Sequence, residues 1–166
     1  MYVSEKYNYT VKPIYSRSNV WEGQFIEISG GDLRKKITIG NVYRPPRELR
    51  DYHQTFIEEF QQVLSILENG NGEVAICGDY NIDLLKVNER PIYHEYFDVI
   101  MSHSFCPKIT FPTRFSNTRG TLIDNILCKI SDVTLATSCI MVKKFLIISR
   151  ISLVLICREN LVKPPK

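Results

Sequence analysis

The sequence predicts an α/β protein in which helices pack outside a mixed β-sheet. Short stretches are either wholly apolar or alternate apolar and polar residues, as strands do, and two longer stretches repeat apolar residues every three or four positions, as helices do. These elements alternate without a strict βαβ rhythm, which favours a mixed sheet over a purely parallel one. With 166 residues, 44% of them apolar, the chain can form one domain with a sizeable core.

The first half predicts a hairpin followed by a helix. The stretches "QFIEIS" and "KITIGNVY" flank the turn "SGGDLRK", so residues 24–29 and 37–43 are expected to pair antiparallel. The double proline of "YRPP" stops the second strand. Between residues 49 and 67 the apolar positions fall on one helical face, which ends at "NGNG". The residues of that face are Tyr52, Phe56, Phe60, Val63 and Leu67.

The second half predicts a buried strand, a second helix and two further strands. The apolar stretch "EVAIC", residues 73–77, is typical of a strand covered on both faces. Pro91 is well placed to open a helix, whose apolar face is Ile92, Tyr96, Phe97 and Ile100. After a loop rich in proline and threonine, "GTLIDNILCK" and "DVTLAT" are predicted strands, the first centred on residues 122–127.

Composition limits the class of protein. The five cysteines are scattered and never form a CxxC pair, which argues against a disulfide framework and a zinc site and favours an intracellular setting, nuclear or cytoplasmic. The first residues contain no apolar leader segment. From residue 142 onward, six basic residues and one acidic residue give a net charge of +5, which exceeds the net charge of +3 of the whole chain. The basic balance therefore belongs to the tail and indicates little about partners of the body.

The tail, residues 145–157, is almost wholly apolar around a central Arg150. It is too short for a membrane helix, which needs roughly 20 apolar residues, and the charge makes a span less favourable still. A buried final strand of β-branched residues is the ordinary interpretation.

Two short motifs carry side chains that could do chemistry. In "GDYNID", Asp79 and Asn81 are two residues apart at the end of a buried strand, so both can point at one ligand. Aspartate and asparagine are also common turn residues, which is the alternative. In "TLIDNIL", Asp124 interrupts an apolar strand, so its carboxylate is expected to be partnered or exposed for use, or else to face water at a sheet edge.

Taken together, "GNVYRPP", "VAICGDYNIDLL" and "FPTRFSNTRGTLIDNIL" resemble the endonuclease/exonuclease/phosphatase superfamily. They closely resemble the endonuclease domain at the front of non-LTR retrotransposon polyproteins, from residue 1 to about residue 145. The resemblance implies a four-layered α/β sandwich and a Mg²⁺-dependent phosphodiesterase that nicks DNA to prime reverse transcription. DNA is thus the implied partner, with neither a membrane nor an obligate protein partner expected.

The resemblance also implies roles for individual residues. Tyr43 would touch the scissile phosphate, although a strand-end tyrosine in the core is the ordinary alternative. Asp79 would orient or deprotonate the attacking water, and Asn81 would hold a phosphate oxygen. Asp124 would orient the catalytic histidine. Two arginines on the loop before that strand, Arg114 and Arg119, are candidates for contacts to backbone phosphates, against the alternative of solvated surface arginines.

Parts of the family's pattern are missing. Its metal-binding glutamate and an asparagine lie on strands upstream of residue 1, so the sandwich is expected to lack its first strands and the metal ligands of this chain are unknown. Glu22 and Glu27 match a later, non-catalytic strand and are expected to face solvent or an edge. The histidines His53, His94 and His103 lie on or beside predicted helices, where surface or capping roles are expected.

The tail departs from the family at its Ser-Asp-His triplet. Relatives continue the two lysines with Phe-Ser-Asp-His-Gln-Pro-Tyr-Phe, and deleting one T from TTT TCT GAT CAT CAG CCG TAT TTC yields Phe-Leu-Ile-Ile-Ser-Arg-Ile, as found here. Leu146, Ile147 and Ile148 then stand in place of the triplet. The hypothesis is a partial nuclease domain over residues 1–145 and an out-of-frame tail over 146–166, with a drifted final strand as the competing view.

These departures predict impaired or absent activity in a chain of nuclease ancestry. A remnant that binds nucleic acid without cleaving it is one alternative. The other is a phosphatase of the same superfamily that acts on small phosphoesters, which the retrotransposon-like passage "PTRFSNTRGTLIDN" disfavours.

Overall fold

The computed structural model describes residues 3–14, 19–31, 33–47, 49–116 and 119–129, together with the backbone of residues 136–141 and 150–155. The described strands are β1 (Asn8–Lys12), β2 (Glu22–Ser29), β3 (Ile37–Tyr43), β4 (Glu73–Asp79), β5 (Cys106–Pro107), β6 (Arg114–Ser116), β7 (Arg119–Thr121), β8 (Asp124–Lys129), β9 (Ala136–Met141) and β10 (Arg150–Leu155). The helices are α1 (Arg50–Glu68) and α2 (Pro91–Ser102), with a 3₁₀ turn at Leu84–Lys86.

A six-stranded mixed sheet forms the centre of the described structure, in the order β1-β2-β3-β4-β8-β5. Strands β3 and β4 are parallel, and the other neighbouring pairs are antiparallel. The α/β class, the mixed sheet and the first hairpin are therefore confirmed. That hairpin begins two residues earlier than expected, at Glu22.

One face of the sheet is covered by α1 and α2. Every apolar residue predicted for the buried face of α1 is buried, and Phe56 stacks on Phe60 with ring centroids 5.3 Å apart. In α2 the prediction is confirmed for Tyr96 and Ile100, whereas Ile92 and Phe97 are only partly buried and Tyr93 is buried instead. Large aromatic side chains bury more apolar area per residue than aliphatic ones, so they contribute strongly to the hydrophobic stabilisation on this face.

The opposite face carries a smaller core. Ala75 of β4 packs there with Ile126 and Cys128 of β8 and with Ile109 and Leu122 from the connecting segments. Because β4 also contributes Val74 and Ile76 to the helix-side core, the prediction that this strand is covered on both faces is confirmed.

The predicted loop that precedes β8 contains a small hairpin. Strands β6 and β7 pair within it, so Arg114 and Arg119 lie on short strands rather than on a loop. The strand expected at residues 122–127 begins only at Asp124. The reason is that Leu122 and Ile123 bond to other partners: the Leu122 N–H donates to Asp83, and the Ile123 carbonyl accepts the N–H of Tyr80. Strand β1 was not predicted.

The end of the chain contributes a separate two-stranded antiparallel sheet. Its strands are β9 and β10, with Arg150 opposite Met141. Only the last two residues of the predicted strand "DVTLAT" fall in β9, and residues 132–135 lie outside the described part of the chain, as do Leu146, Ile147 and Ile148. Within the residues that the structure describes, none of the helices has the length and apolar character needed to cross a bilayer.

Candidate active site

Three of the predicted site residues stand side by side where β3 and β4 end and β8 begins. Tyr43 is in register with Asp79 on the parallel neighbour, and Asp79 is in register with Asp124 on the antiparallel one. Because directly paired residues on adjacent strands project to the same face, the three side chains form a row across the sheet. The structure thus brings together residues that are 81 positions apart along the chain, from Tyr43 to Asp124.

Arg114 of β6 bridges the two carboxylates of this row. Its Nη2 lies 2.6 Å from Asp79 Oδ2 and 3.3 Å from Asp124 Oδ1, and its Nε lies 3.3 Å from Asp124 Oδ2. Asp124 is buried, with 6% of its surface exposed, so the expectation that it is partnered is confirmed. The alternative of an edge aspartate facing water is wrong, because the Asp124 side chain is buried and bonded to Arg114.

Burial and charge act in opposite directions on this cluster. Burial raises the pKa of Asp79 above its ordinary value; the negative charge of Asp124 adds to that rise, and Arg114 opposes it. Burial by itself would lower the pKa of Arg114, but its bonds and charge interactions with Asp124 and Asp79 outweigh that effect and raise it. The guanidinium therefore stays charged between the carboxylates.

Asn81 lies on the turn directly after β4. Its backbone adopts a left-handed conformation, with φ of 48°, which asparagine tolerates better than most residues. Its N–H donates to Asp79 Oδ1 at 3.3 Å, and its side-chain Nδ2 donates to the Arg44 carbonyl at 2.7 Å. One of the two side-chain N–H groups is thus committed to the protein, and the other remains for a ligand.

The remaining predicted residues differ in their placement. Tyr43 is 43% exposed, so the alternative of an ordinary core tyrosine is wrong. Arg119 is exposed on β7 and is not among the residues that contact Asp79 or Asp124 in the described structure. Glu22 is exposed, as expected. Glu27 is partly exposed on β2, where ion pairs with Lys12 and Lys36 lower its pKa.

The histidine prediction is wrong for one of the three. His53 is buried in α1, and its Nδ1 lies 2.9 Å from Arg44 Nη2. His94 pairs with Asp98 on the surface, and His103 caps the end of α2 next to Glu68, as expected.

Sequence reasoning also missed two supporting residues. Arg44 follows Tyr43 in "YRPP" and is fully buried beneath the turn that carries Asn81. Thr113, next to Arg114, accepts the Asp124 N–H through its hydroxyl. The position of Arg44 directly after a predicted site residue was a signal that could have been used, whereas nothing in the sequence pattern singles out Thr113.

The arrangement can be tested against the Mg²⁺ ion that the resemblance implies. Mg²⁺ takes oxygen ligands in octahedral geometry, and Asp79 and Asp124 could each supply one. Arg114 already bonds to both, however, and the described residues hold no group of three or more His, Cys, Asp or Glu side chains placed to share an ion. As arranged, the two carboxylates serve a guanidinium, and the site does not fit Mg²⁺.

Comparison with known proteins places the fold. Neither a family model nor a curated protein matches the sequence. The endonuclease domain of TRAS1, a telomere-specific non-LTR retrotransposon, is similar in structure, with a TM-score of 0.61 and 13% identity over 81% of this chain and 60% of that one. The human Nocturnin catalytic domain with bound sulfate anion gives a TM-score of 0.53 and 8% identity over 82% of this chain and 52% of that one.

These likenesses establish the fold. The chain spans about three fifths of the TRAS1 domain and half of the Nocturnin domain. Its architecture is the α/β fold of the endonuclease/exonuclease/phosphatase type. The resemblance that the motifs indicated is therefore confirmed for the fold, and it includes the fold of a retrotransposon endonuclease domain.

Proposed function

We propose that the site is that of a DNA-nicking phosphodiesterase, ancestrally dependent on Mg²⁺ and serving retrotransposition, and that it is impaired in this chain. The row formed by Tyr43, Asp79 and Asp124, with Asn81 on the adjoining turn, is the observation that carries the proposal. Its support is that the same fold occurs in an endonuclease domain of a retrotransposon.

The geometry suits each residue to a step of phosphodiester hydrolysis. Asp79, whose pKa is raised, is a better proton acceptor than an ordinary aspartate and would orient the attacking water. The half-exposed Tyr43 offers its hydroxyl to the scissile phosphate, and the second N–H of the Asn81 amide offers a hydrogen bond to a phosphate oxygen. Asp124 holds Arg114 in this chain, rather than the histidine that the resemblance implies.

Two features account for the impairment. Arg114 ties up both carboxylates, so that a cation would have to compete with a bridging guanidinium. In addition, Leu146, Ile147 and Ile148 supply neither an acid nor an imidazole at the sequence position of the family's triplet. Loss of several cooperating groups lowers turnover by orders of magnitude.

A second candidate is binding of nucleic acid without cleavage. The Arg114 bridge favours it, because the paired arginine neutralises Asp79 and Asp124. This reduces their repulsion of a phosphate but also occupies the groups that cleavage would need. The exposed Arg119 on the same hairpin would then contribute to phosphate contacts.

Nicking of supercoiled plasmid in the presence of Mg²⁺ tests the proposal. We expect no nicking above background from the chain as it stands, nor from a version with the frame restored after Phe145. A chimera that also carries the opening strands of the TRAS1 endonuclease domain before residue 1 regains the metal-binding glutamate that the resemblance implies, so a cation can compete with Arg114 for the two carboxylates. This chimera should nick, and Asp79→Ala should abolish that activity.

The matched control in the chimera is Asp98→Ala, which removes an exposed carboxylate of α2. If the unrepaired chain nicks DNA and Asp79→Ala silences it, impairment is the wrong conclusion. If the chimera is folded and still inert, the assignment of a nuclease site fails.

A further inference from the structure

Arg44 lies directly beneath the turn that carries two candidate site residues. Side chains alternate along a strand, so Tyr43 projects to the site face while Arg44 projects to the helix face, where it is fully buried. There its Nη1 lies 3.1 Å from the Tyr80 carbonyl oxygen and 3.1 Å from the Asn81 carbonyl oxygen. One nitrogen thus donates to two successive carbonyls of the turn.

The backbone of the same residue completes the contact. The Arg44 N–H donates to the Asp79 carbonyl at 2.9 Å, and the Arg44 carbonyl accepts from Asn81 Nδ2 at 2.7 Å. Each of the three consecutive residues Asp79, Tyr80 and Asn81 is therefore hydrogen-bonded to Arg44.

The far side of the guanidinium is held by the first turns of α1. Its Nη2 lies 2.9 Å from His53 Nδ1, and its Cζ lies 5.0 Å from the ring centroid of Tyr52 and 5.2 Å from that of Phe56. Because a guanidinium can only donate, His53 Nδ1 accepts, and the proton of this imidazole is on Nε2. The planar group therefore lies between the first turns of α1 and the turn at residues 79–81 and contacts both.

We propose that Arg44 is a positioning residue of the site: it fixes the left-handed turn at Asn81 and so sets the direction of the Asp79 carboxylate and the Asn81 amide. The inference rests on the proposed function for its role in catalysis, whereas its geometry rests on the hydrogen bonds of Arg44 alone. A left-handed residue is held in place by bonds from outside the turn, and Arg44 supplies bonds to all of its members. Lysine cannot replace it fully, since an ammonium group lacks the rigid fork that reaches the carbonyls and the imidazole together.

Amide hydrogen exchange on the full chain tests this directly. In Arg44→Met we expect exchange at the Tyr80 and Asn81 amides to quicken by about tenfold or more relative to the amides of α2. Opening of the turn in the wild-type protein must break the bonds from the Arg44 side chain, and in the variant that cost is gone. Arg44→Lys should give an intermediate rise. The control is Ile100→Val, a conservative change of a fully buried residue of α2. This variant should not raise the exchange rates of the turn amides relative to those of the helix.

Arg44→Met could prevent folding, and Asn81→Asp keeps the inference testable in that event. Aspartate also tolerates the left-handed backbone but cannot donate to the Arg44 carbonyl, so exchange at residue 81 should rise while Arg44 stays buried. An unchanged ratio of turn to helix exchange in Arg44→Lys and Asn81→Asp would overturn the inference, as would a uniform rise across the chain in either variant.

A kinetic readout separates this inference from the proposed function. In the nicking chimera, Arg44→Lys should lower kcat while KM stays within about twofold, because the misplaced groups act in the chemical step. Ile100→Val should change neither. A folded chimera that never nicks would sink the nuclease assignment, yet the exchange experiment would still decide whether Arg44 holds the turn.

Discussion

The two faces of the central sheet each hold one arginine at the end of β4, and they hold it differently. On the helix face, Arg44 is fully buried and bonds to neutral acceptors, the carbonyls of Tyr80 and Asn81 and the imidazole of His53. On the site face, the side chain of Arg114 is 42% exposed and bonds to two carboxylates, Asp79 and Asp124. The two guanidinium groups thus approach the same turn from opposite sides.

The difference separates geometry from charge. Bonds to carbonyls are directional, so Arg44 fixes where the backbone goes. Bonds to carboxylates also change the charge of the site, so Arg114 opposes the rise in the pKa of Asp79 and competes with any other cation for Asp79 and Asp124. Substitution of Arg44 should therefore act on stability, and substitution of Arg114 mainly on titration.

The largest effect is expected for Arg44→Met. The change leaves buried carbonyls of the turn and the His53 nitrogen without their donor, so the free energy of unfolding should fall by about 3–5 kcal/mol. Urea denaturation measures it. The control is Arg47→Met. Arg47 is exposed on the segment after β3, its Cζ lies 4.9 Å from the Tyr52 ring centroid, and the change should cost less than about 1 kcal/mol. Equal losses of unfolding free energy in the two variants would show that the buried bonds of Arg44 stabilise the fold no more than an exposed arginine does.

A smaller effect is expected for Asp124→Asn. The amide keeps the shape of the side chain but presents one N–H₂ group to a guanidinium that can only donate, so part of the bridge is lost. The free energy of unfolding should fall by about 1–2 kcal/mol, discounted for the partial exposure of Arg114. Asp98→Asn, which alters an exposed ion pair of α2, is the comparison and should change little. A stabilised Asp124→Asn protein would mean that repulsion between the two carboxylates outweighs the bridge.

The elements of the fold were largely predictable because their signals are local. The spacing of Tyr52, Phe56 and Phe60 placed α1 to within one residue at each end, since one amphipathic face suffices to define a helix. The apolar run 73–77 likewise located β4. The start of β8 was misplaced by two residues because Leu122 and Ile123 bond to the 80–84 segment, a contact between distant parts of the chain that periodicity does not contain.

The candidate site was predictable only in part, and the two arginines show why. Aspartates 79 and 124 stood out because a carboxylate in or beside an apolar strand needs a reason. Arg114 was proposed for phosphates, yet its charge is taken by those same aspartates. Arg44 and His53 were missed or misassigned because residue type suggests exposure for both. Arg44 is buried against a turn 36 or 37 residues away, and His53 is buried beside Arg44.

The last prediction concerns titration of the site face. In the wild-type protein the pKa of Asp79 is raised, chiefly by burial, and the rise is opposed mainly by Arg114 and to a smaller extent by the Asn81 N–H. The folded state therefore holds this proton more tightly than the unfolded state does. The resulting stabilisation is complete below the ordinary pKa of 3.8 and is lost as the pH rises through the folded value.

Arg114→Gln should remove the opposing charge and raise the pKa of Asp79 further, so the variant should lose more stability than wild type between acidic and neutral pH. Titration of the Asp79 carboxyl carbon by NMR measures the pKa, and urea denaturation at several pH values measures the linked stability. Arg119→Gln, an arginine lost from the neighbouring strand of the same hairpin, should leave the pKa of Asp79 as in wild type. A pKa of Asp79 in Arg114→Gln at or below the wild-type value would show that the bridge does not hold in solution, and the contrast between the two faces would then rest on Arg44 alone.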